Sequence, residues 1–295
     1  MYDGIMNLLS LFSIAVYAAE LIISPIPDEV PMTVVQTIAP HVSFGALTQV
    51  FTPPQVLGVS TEVIPQPTPS SYHARKNSFT IAVIGDSMVD TLGPDVPHLK
   101  NKLTRLYPGV SFKILNYGVG ATNIDYGITR LTNEYDYLGV HKPSLVSQKP
   151  DVVVVESFGY NPYPFDEGAM DKHWLAMAEA VSVIRANLPD AKIVIAATIA
   201  PNWDVFGDGA PGVSFSPQAK REHVAVVKRY LENAVRFAQS QGLPLANAYH
   251  PSLQADGNGK IGYINGGDHI HYSDAGRELF GRKVADAIVN NKLLE

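Results

Sequence analysis

The fold of this chain is decided by residues 79–90, which read FTIAVIGDSMVD. The first half is short, apolar and rich in β-branched residues, which is typical of a strand buried on both faces of a parallel sheet. Gly85 allows a sharp turn, and Asp86 and Ser87 are residue types that begin helices. A strand that ends in such a turn places these side chains at the carboxyl edge of the sheet, where open α/β folds bind ligands. Ser87 is therefore a candidate nucleophile, although a serine that only caps the helix explains the same pattern.

From residue 78 onward, apolar runs alternate with stretches of helical periodicity, which predicts βαβ units. We predict strands at residues 79–84, 112–118, 151–157, 192–198 and 243–248, and helices near residues 95–107, 124–138, 168–187, 217–241 and 274–291. Five strands connected in this way predict an α/β fold, a flavodoxin-like three-layer α/β/α sandwich with a five-stranded parallel sheet and right-handed crossovers.

The composition narrows the class of protein. Of the 295 residues, 46% are hydrophobic and 17% are charged, which is ordinary for a folded globular protein. The formal net charge of −6 offers no basic surface, so we expect no nucleic-acid partner. Cysteine is absent, which excludes disulfides, thiolate catalysis and cysteine metal sites.

The first 74 residues differ from the remainder because they contain no Lys or Arg. Residues 5–24 are mostly apolar and about long enough to span a bilayer. Asn7 and Glu20 interrupt this run, and the basic flank typical of a signal peptide or anchor is missing. We predict a hydrophobic signal or membrane-anchor segment at residues 1–24. A buried or amphipathic helix, or a misassigned start codon, is the alternative.

A proline-rich segment follows. Nine of the 22 prolines lie between residues 25 and 70, and such a composition is typical of an extended spacer. We therefore predict a stalk or linker at residues 25–77 and a catalytic domain at residues 78–295. A hydrophobic start, a stalk and a folded domain predict an extracytoplasmic protein that is membrane-tethered or secreted.

A second informative stretch, residues 267–276, reads GDHIHYSDAG. A nucleophilic serine needs a base to take its proton, and the base needs an anion to hold its tautomer. Asp268 and His271 stand three residues apart before the last helix, a spacing that lets the carboxylate reach Nδ1 while Nε2 points outward. A histidine alone is often only a surface residue. The presence of Asp268 and His271 together with the upstream Gly-Asp-Ser favours a catalytic role for them.

Acyl transfer also needs donors directed at the developing oxyanion. Residues 116–123, NYGVGATN, follow the second predicted strand and offer backbone N–H groups. Residues 159–162, GYNP, follow the third and offer the side-chain amide of Asn161. Both turns lie at carboxyl ends of strands, on the same edge of the sheet as Ser87. Each is a plain turn when taken alone, but together they supply the second half of a hydrolytic site.

In this order the four blocks resemble the SGNH, or GDSL-type, hydrolase family, from the first predicted strand through the last helix. The resemblance implies a hydrolase of carboxylic esters in which Ser87 is the nucleophile, His271 the base and Asp268 the residue that orients it. It places the oxyanion hole at the Ser87 N–H, the N–H of Gly120 and the amide of Asn161. It implies two-step acyl transfer without a metal or an organic cofactor.

The chain departs from the family pattern at two places. The third block reads Gly-Tyr-Asn-Pro where the family usually has Gly-x-Asn-Asp. The second block is one residue shorter than usual, so the N–H of Gly118 or Ala121 is an alternative to that of Gly120. Neither departure removes a group that the mechanism needs.

Two other functions remain open. The Asp and His residues of the two Gly-Asp stretches are types that ligate metals in phosphoesterases, although such a site needs further ligands. A non-catalytic carbohydrate-binding domain on the same fold is the other alternative. The expected substrate of the hydrolase is a small-molecule or polysaccharide ester. The sequence leaves its acyl group and alcohol open, and favours O-acetyl groups on surface polysaccharide over long lipids.

Overall fold

Five parallel strands form the central sheet of the computed structural model, which describes residues 72–295. Within residues 72–295 the chain forms seven strands, of which five belong to this sheet. In chain order the seven strands are β1 (Ser78–Gly85), β2 (Ser111–Gly118), β3 (Tyr135–Tyr137), β4 (Val140–Lys142), β5 (Val152–Glu156), β6 (Lys192–Ala197) and β7 (Leu245–Asn247). The sheet has the order β2-β1-β5-β6-β7, and β3 and β4 form a separate antiparallel hairpin. This order confirms the flavodoxin-like parallel sheet.

Helices cover both faces of the sheet. They are α1 (Ser87–Asp90), α2 (Pro97–Leu106), α3 (Ile124–Thr132), α4 (Ala169–Asn187), α5 (Pro217–Ser240) and α6 (Asp274–Asn290). Apolar residues of α2 and α6 share one hydrophobic core with the sheet, and those of α3, α4 and α5 share the other. The three-layer α/β/α architecture is therefore confirmed.

Strand β1 contributes side chains to both hydrophobic cores. Successive side chains of a strand point to opposite faces. Ile81 and Val83 accordingly enter the core with α2 and α6, while Ala82 and Ile84 enter the other. All four are buried, and full burial of each larger side chain contributes about 1.5–3 kcal/mol. A strand buried on both faces explains the absence of polar alternation in the sequence.

One predicted element is wrong in part. The helix predicted at residues 124–138 ends at Thr132, and Asn133 is already extended, with φ −110° and ψ 145°. The chain then forms the β3–β4 hairpin, whose two turn residues, Leu138 and Gly139, have φ of 51° and 75°. Two positive φ values are typical of the tight turns that join hairpin strands. The alternating tyrosines of β3 suit a strand better than a helix.

The end of the predicted linker contacts the domain. The Arg75 N–H donates to the Leu294 carbonyl at 2.8 Å, and the Arg75 Nη1 donates to the Leu293 carbonyl at 3.0 Å. Residues 1–24 and most of the linker lie outside the described residues, so those boundaries stay predictions. No helix within residues 72–295 combines the length and apolar character needed to cross a bilayer.

Candidate active site

The turn that carries the candidate nucleophile Ser87, called the nucleophile turn below, lies between β1 and α1. Asp86 is the N-cap of α1, and its Oδ1 accepts a hydrogen bond from the Met88 N–H at 2.8 Å. Ser87 occupies the first helical position and is only 1% exposed. Its side chain is therefore not needed as the cap, which was the competing interpretation of this serine. Neither the Ser87 Oγ nor its N–H has a hydrogen-bond partner within residues 72–295.

The structure brings Asp268 and His271 together in the loop before α6. The His271 Nδ1 lies 3.0 Å from the Asp268 Oδ2. The Asp268 Oδ1 accepts the backbone N–H groups of Ile270 at 2.8 Å and His271 at 3.0 Å. Burial alone would raise the pKa of Asp268, but the hydrogen bond and charge of His271 and these two N–H groups together lower it. An ionised carboxylate thus holds the Nδ1 side of the imidazole.

The other ring nitrogen of His271 is free. The side chain is buried, and Nε2 has no hydrogen-bond partner in the part of the chain that the structure describes. Burial raises the pKa values of Asp86 and Asp90, which lie on either side of Ser87, and a charge interaction with His271 acts in the opposite direction. The ring is therefore within electrostatic range of the nucleophile turn. No hydrogen bond joins it to the Ser87 Oγ, and catalytic hydrogen bonds are often long before substrate binds.

The third block places Asn161 beside the nucleophile turn. Its Nδ2 donates to the Asp86 Oδ2 at 3.0 Å. The turn before it is shaped by Phe158, whose φ of 51° is left-handed and whose N–H donates to the Glu156 Oε2 at 2.8 Å. The Asn161 N–H closes the turn on the Phe158 carbonyl at 3.2 Å. One amide proton of Asn161 is occupied by Asp86, and the second can face a bound substrate.

Two fully buried carboxyl groups lie close to Ser87 in the fold. Asp86 and Glu156 are both 0% exposed and interact with each other. Burial raises the pKa of Glu156 well above its usual value, and the neighbouring charge of Asp86 raises it further. Burial also raises the pKa of Asp86, against the hydrogen bonds from Asn161 and Met88. Since two adjacent carboxylates repel, the pair takes up a proton more readily than an isolated carboxyl group does.

The second block packs closely on α1. A side chain at Gly118 would place its Cβ 2.1 Å from the Asp90 backbone N, so only glycine fits here. The Val119 N–H donates to the Gly85 carbonyl at 3.2 Å, and the Gly120 N–H donates to the Tyr137 Oη at 3.1 Å. The N–H that the family resemblance assigned to the oxyanion hole is therefore already bonded in this structure.

Arg130 supports both strand ends beneath the site. It is fully buried, and its guanidinium donates to the Gly85 carbonyl at 3.0 Å and to the Tyr117 carbonyl. Burial lowers its pKa, while nearby tyrosines and Asp86 raise it. The cation also lowers the pKa of Asp86. It therefore balances part of the negative charge behind the nucleophile.

Sequence reasoning missed Glu156, Arg130 and Tyr137. Glu156 had a visible signal, because it is the one acid in a strand that otherwise reads as valine. Arg130 and Tyr137 had none, since nothing local shows that an arginine of α3 or a tyrosine of a hairpin reaches the sheet edge. No group of three or more His, Cys, Asp or Glu residues within the described range is arranged to hold a metal ion.

A serine after β1, a turn with two glycines at the end of β2, an asparagine after β5 and a bonded Asp–His pair share one edge of the sheet. Residues 83–279 match the model of the GDSL-like lipase/acylhydrolase family. The chain belongs to this family. No curated protein matches it.

The chain is similar to several solved structures at low identity. A GDSL-like lipase from Bacteroides thetaiotaomicron is 14% identical, with 72% of this chain and 88% of that chain covered and a TM-score of 0.46. An acetylxylan esterase from Geobacillus stearothermophilus is 15% identical, with 71% and 94% covered and a TM-score of 0.44. Members of the family are acylhydrolases and esterases, which is the class of activity that the membership indicates.

Proposed function

We propose that this GDSL-like protein is a serine ester hydrolase in which Ser87, His271 and Asp268 form a catalytic triad. The observation that carries the proposal is the state of His271. Its Nδ1 is held by the Asp268 carboxylate, while its Nε2 is buried, unbonded within residues 72–295 and in electrostatic range of the nucleophile turn. A buried imidazole with one nitrogen held and the other free is suited to take a proton from a serine.

The reaction proceeds in two steps. The Ser87 Oγ attacks the carbonyl carbon of the ester as its proton passes to the His271 Nε2. The tetrahedral intermediate breaks its bond to the alcohol oxygen, which leaves with that proton. Water then attacks the acyl group by the same path, and the carboxylic acid and free Ser87 are released. Asp268 stays ionised throughout and stabilises the imidazolium.

The oxyanion is stabilised by fixed donors. The free N–H of Ser87 is one, and the second amide proton of Asn161 is another. The bond from Asn161 to Asp86 holds the amide plane in place, so little reorganisation is needed during the reaction. The third donor is a backbone N–H of the second block; the family resemblance points to Gly120, whose N–H is bonded to the Tyr137 Oη in this structure.

A short acyl group suits this site better than a long one. Ser87 and His271 are 1% and 2% exposed, so a substrate has to bring its carbonyl into a recessed edge of the sheet. An acetyl group reaches such a position with the least displacement of the surrounding side chains. We therefore propose O-acetyl esters, including those on polysaccharide, as the substrate class, and an extracytoplasmic, tethered or secreted location.

Substitution of Ser87 tests the proposed activity. We expect Ser87→Ala to abolish labelling by a fluorophosphonate probe and to lower kcat at least about 10⁴-fold. Ser147→Ala, which changes an exposed serine, is the matched control, and we expect it to keep both the labelling and the kcat of the wild type. Activity of the wild type should survive a chelator. Chelator-sensitive hydrolysis that persists in Ser87→Ala would indicate a metal-dependent enzyme instead.

A panel of nitrophenyl esters of graded chain length tests the substrate class. We expect a higher kcat/KM for the acetate than for the octanoate, followed by release of acetate from acetylated glycans. The opposite order would contradict the acetyl esterase. A wild type that is neither labelled nor active on any ester would favour the non-catalytic binding domain.

A further inference from the structure

Tyr137 connects two blocks of the site through its hydroxyl. It lies in β3 of the β3–β4 hairpin, 47 residues after Asp90. Its Oη accepts the Gly120 N–H at 3.1 Å and donates to the Asp90 Oδ2 at 2.8 Å. Asp90 ends α1, the helix that begins with Ser87. One phenol therefore ties the second-block turn to the helix that carries the nucleophile.

The direction of these hydrogen bonds is fixed by chemistry. An ionised carboxylate can only accept, so the single proton of the Tyr137 hydroxyl goes to Asp90, and a backbone N–H can only donate, so Gly120 donates to the phenol oxygen. Burial raises the pKa of Tyr137, and the charge of Asp90 raises it further. The hydroxyl thus stays protonated at neutral pH. Its two hydrogen bonds, from the Gly120 N–H and to Asp90, form a bridge between these residues that is present in the working enzyme.

The hydrogen bond to Tyr137 leaves a different backbone N–H of the second block free to bind a substrate. The Val119 N–H is bonded to the Gly85 carbonyl, and the Gly120 N–H is bonded to Tyr137. The next N–H, that of Ala121, has no acceptor within residues 72–295. Ala121 also has a φ of 55°, in the left-handed region that side chains other than Gly, Asn and Asp rarely adopt. Such local strain persists where the surrounding contacts impose it.

We infer that Tyr137 is a positioning residue for ester hydrolysis: it holds the Gly120 N–H away from the substrate and sets the turn so that the Ala121 N–H is the second-block oxyanion donor. This inference rests on the proposed function and assigns the donor that the sequence left open. The cost of the left-handed Ala121 is offset by the bridge and by the Thr122 Oγ1, which donates to the Val119 carbonyl at 2.8 Å.

The substitution Tyr137→Phe tests the role of the hydroxyl. It leaves the Gly120 N–H without its acceptor and frees the turn, so we expect kcat to fall at least about tenfold, as small displacements of catalytic groups do, with KM unchanged. Tyr126→Phe is the matched control, because that ring is exposed and its hydroxyl makes no hydrogen bond within the described residues. An unchanged kcat would overturn the inference. A raised kcat would overturn it too, since it would show that Tyr137 masks Gly120 as the true donor.

A covalent adduct gives a second test that needs no folded variant. In a crystal structure of the wild type phosphonylated at Ser87, we expect the phosphonyl oxygen within about 3.1 Å of the Ala121 N, with Gly120 still bonded to Tyr137. An oxygen bonded to the Gly120 N instead would refute the assignment. Failure of the proposed function has a different signature, because the wild type would then take up no fluorophosphonate at all, and the role of Tyr137 in hydrolysis would fall with it.

Discussion

At the scale of single residues, the site depends on how burial and hydrogen bonding distribute charge. Asp268 and Glu156 are both carboxylic acids in the same domain, yet their pKa values move in opposite directions. Asp268 interacts with His271 and accepts hydrogen bonds from two backbone N–H groups, and together these interactions outweigh burial. Glu156 has complete burial and an acidic neighbour. The first is therefore kept as an anion beside His271, and the second takes up a proton more readily than an ordinary carboxyl group.

Removal of the charge at Asp268 should show the importance of this anion. In Asp268→Asn, the amide no longer stabilises an imidazolium and permits the wrong tautomer, so we expect kcat to fall about 10³- to 10⁴-fold. Steady-state kinetics on nitrophenyl acetate measure the loss. An exposed acid provides the control, and Asp274→Asn should leave kcat unchanged. A loss below about tenfold would indicate that Asp268 does not orient the base.

The raised pKa of Glu156 predicts a pH dependence of stability. The folded state holds the proton of Glu156 above pH 4.5, where the unfolded state has lost it, so the free energy of unfolding decreases as pH rises through the folded pKa. Glu156→Gln removes this titration. We expect it to gain stability over the wild type at pH 8 and to gain less at pH 4, in urea unfolding at both values.

Glu179→Gln is the control for this experiment, because Glu179 is exposed in α4 and should leave the pH slope unchanged. Equal slopes for the wild type and Glu156→Gln would show that Glu156 does not retain its proton. The buried position makes the test sensitive, since one unit of pKa difference corresponds to about 1.4 kcal/mol.

At the scale of elements, the placement of α1 against the end of β2 sets the position of Ser87. The contact is possible because Gly118 has no side chain where the backbone of Asp90 passes. Asn116 adds to the contact, because its Nδ2 donates to the Val89 carbonyl at 2.8 Å. Short helices have little stability of their own, so α1 owes its geometry to these neighbours and to its cap.

Gly118→Ala should displace this helix. The added Cβ would lie 2.1 Å from the Asp90 N, so the backbone has to move. We expect a loss of about 1–3 kcal/mol in the free energy of unfolding and a lower kcat, measured by chemical denaturation and ester kinetics. Gly262→Ala is the control, because its Cβ would meet nothing within 4 Å. A Gly118→Ala variant as stable and active as this control would contradict the close approach.

At the scale of the whole molecule, the predicted location depends on residues 1–24, which lie outside the described residues. The described domain carries its own cores and its own site, and residues 1–24 contribute the most apolar stretch of the sequence. The prediction that this stretch directs export or tethering therefore concerns residues other than those of the candidate site.

Deletion of residues 1–24 tests that prediction. We expect the full chain to fractionate with membranes or to appear as an exported product, and the shortened chain to remain in the soluble cytosolic fraction with an unchanged kcat. Immunoblots of cell fractions and an esterase assay of each fraction measure this. Full-length chain found uncleaved in the soluble cytosolic fraction would contradict the anchor and the signal alike.

The sequence by itself determined the strand–helix alternation, the sheet edge on which the site lies and the four blocks that carry it. These features depend on local periodicity and on residue types adjacent in the chain, which a sequence shows directly. Only the tertiary structure decided that the helix after the second block ends at Thr132, that Asp86 rather than Ser87 caps α1, and that Tyr137 occupies the Gly120 N–H. Those outcomes depend on contacts between residues tens of positions apart, because hydrogen bonding and burial are satisfied by neighbours in space, whichever part of the chain supplies them.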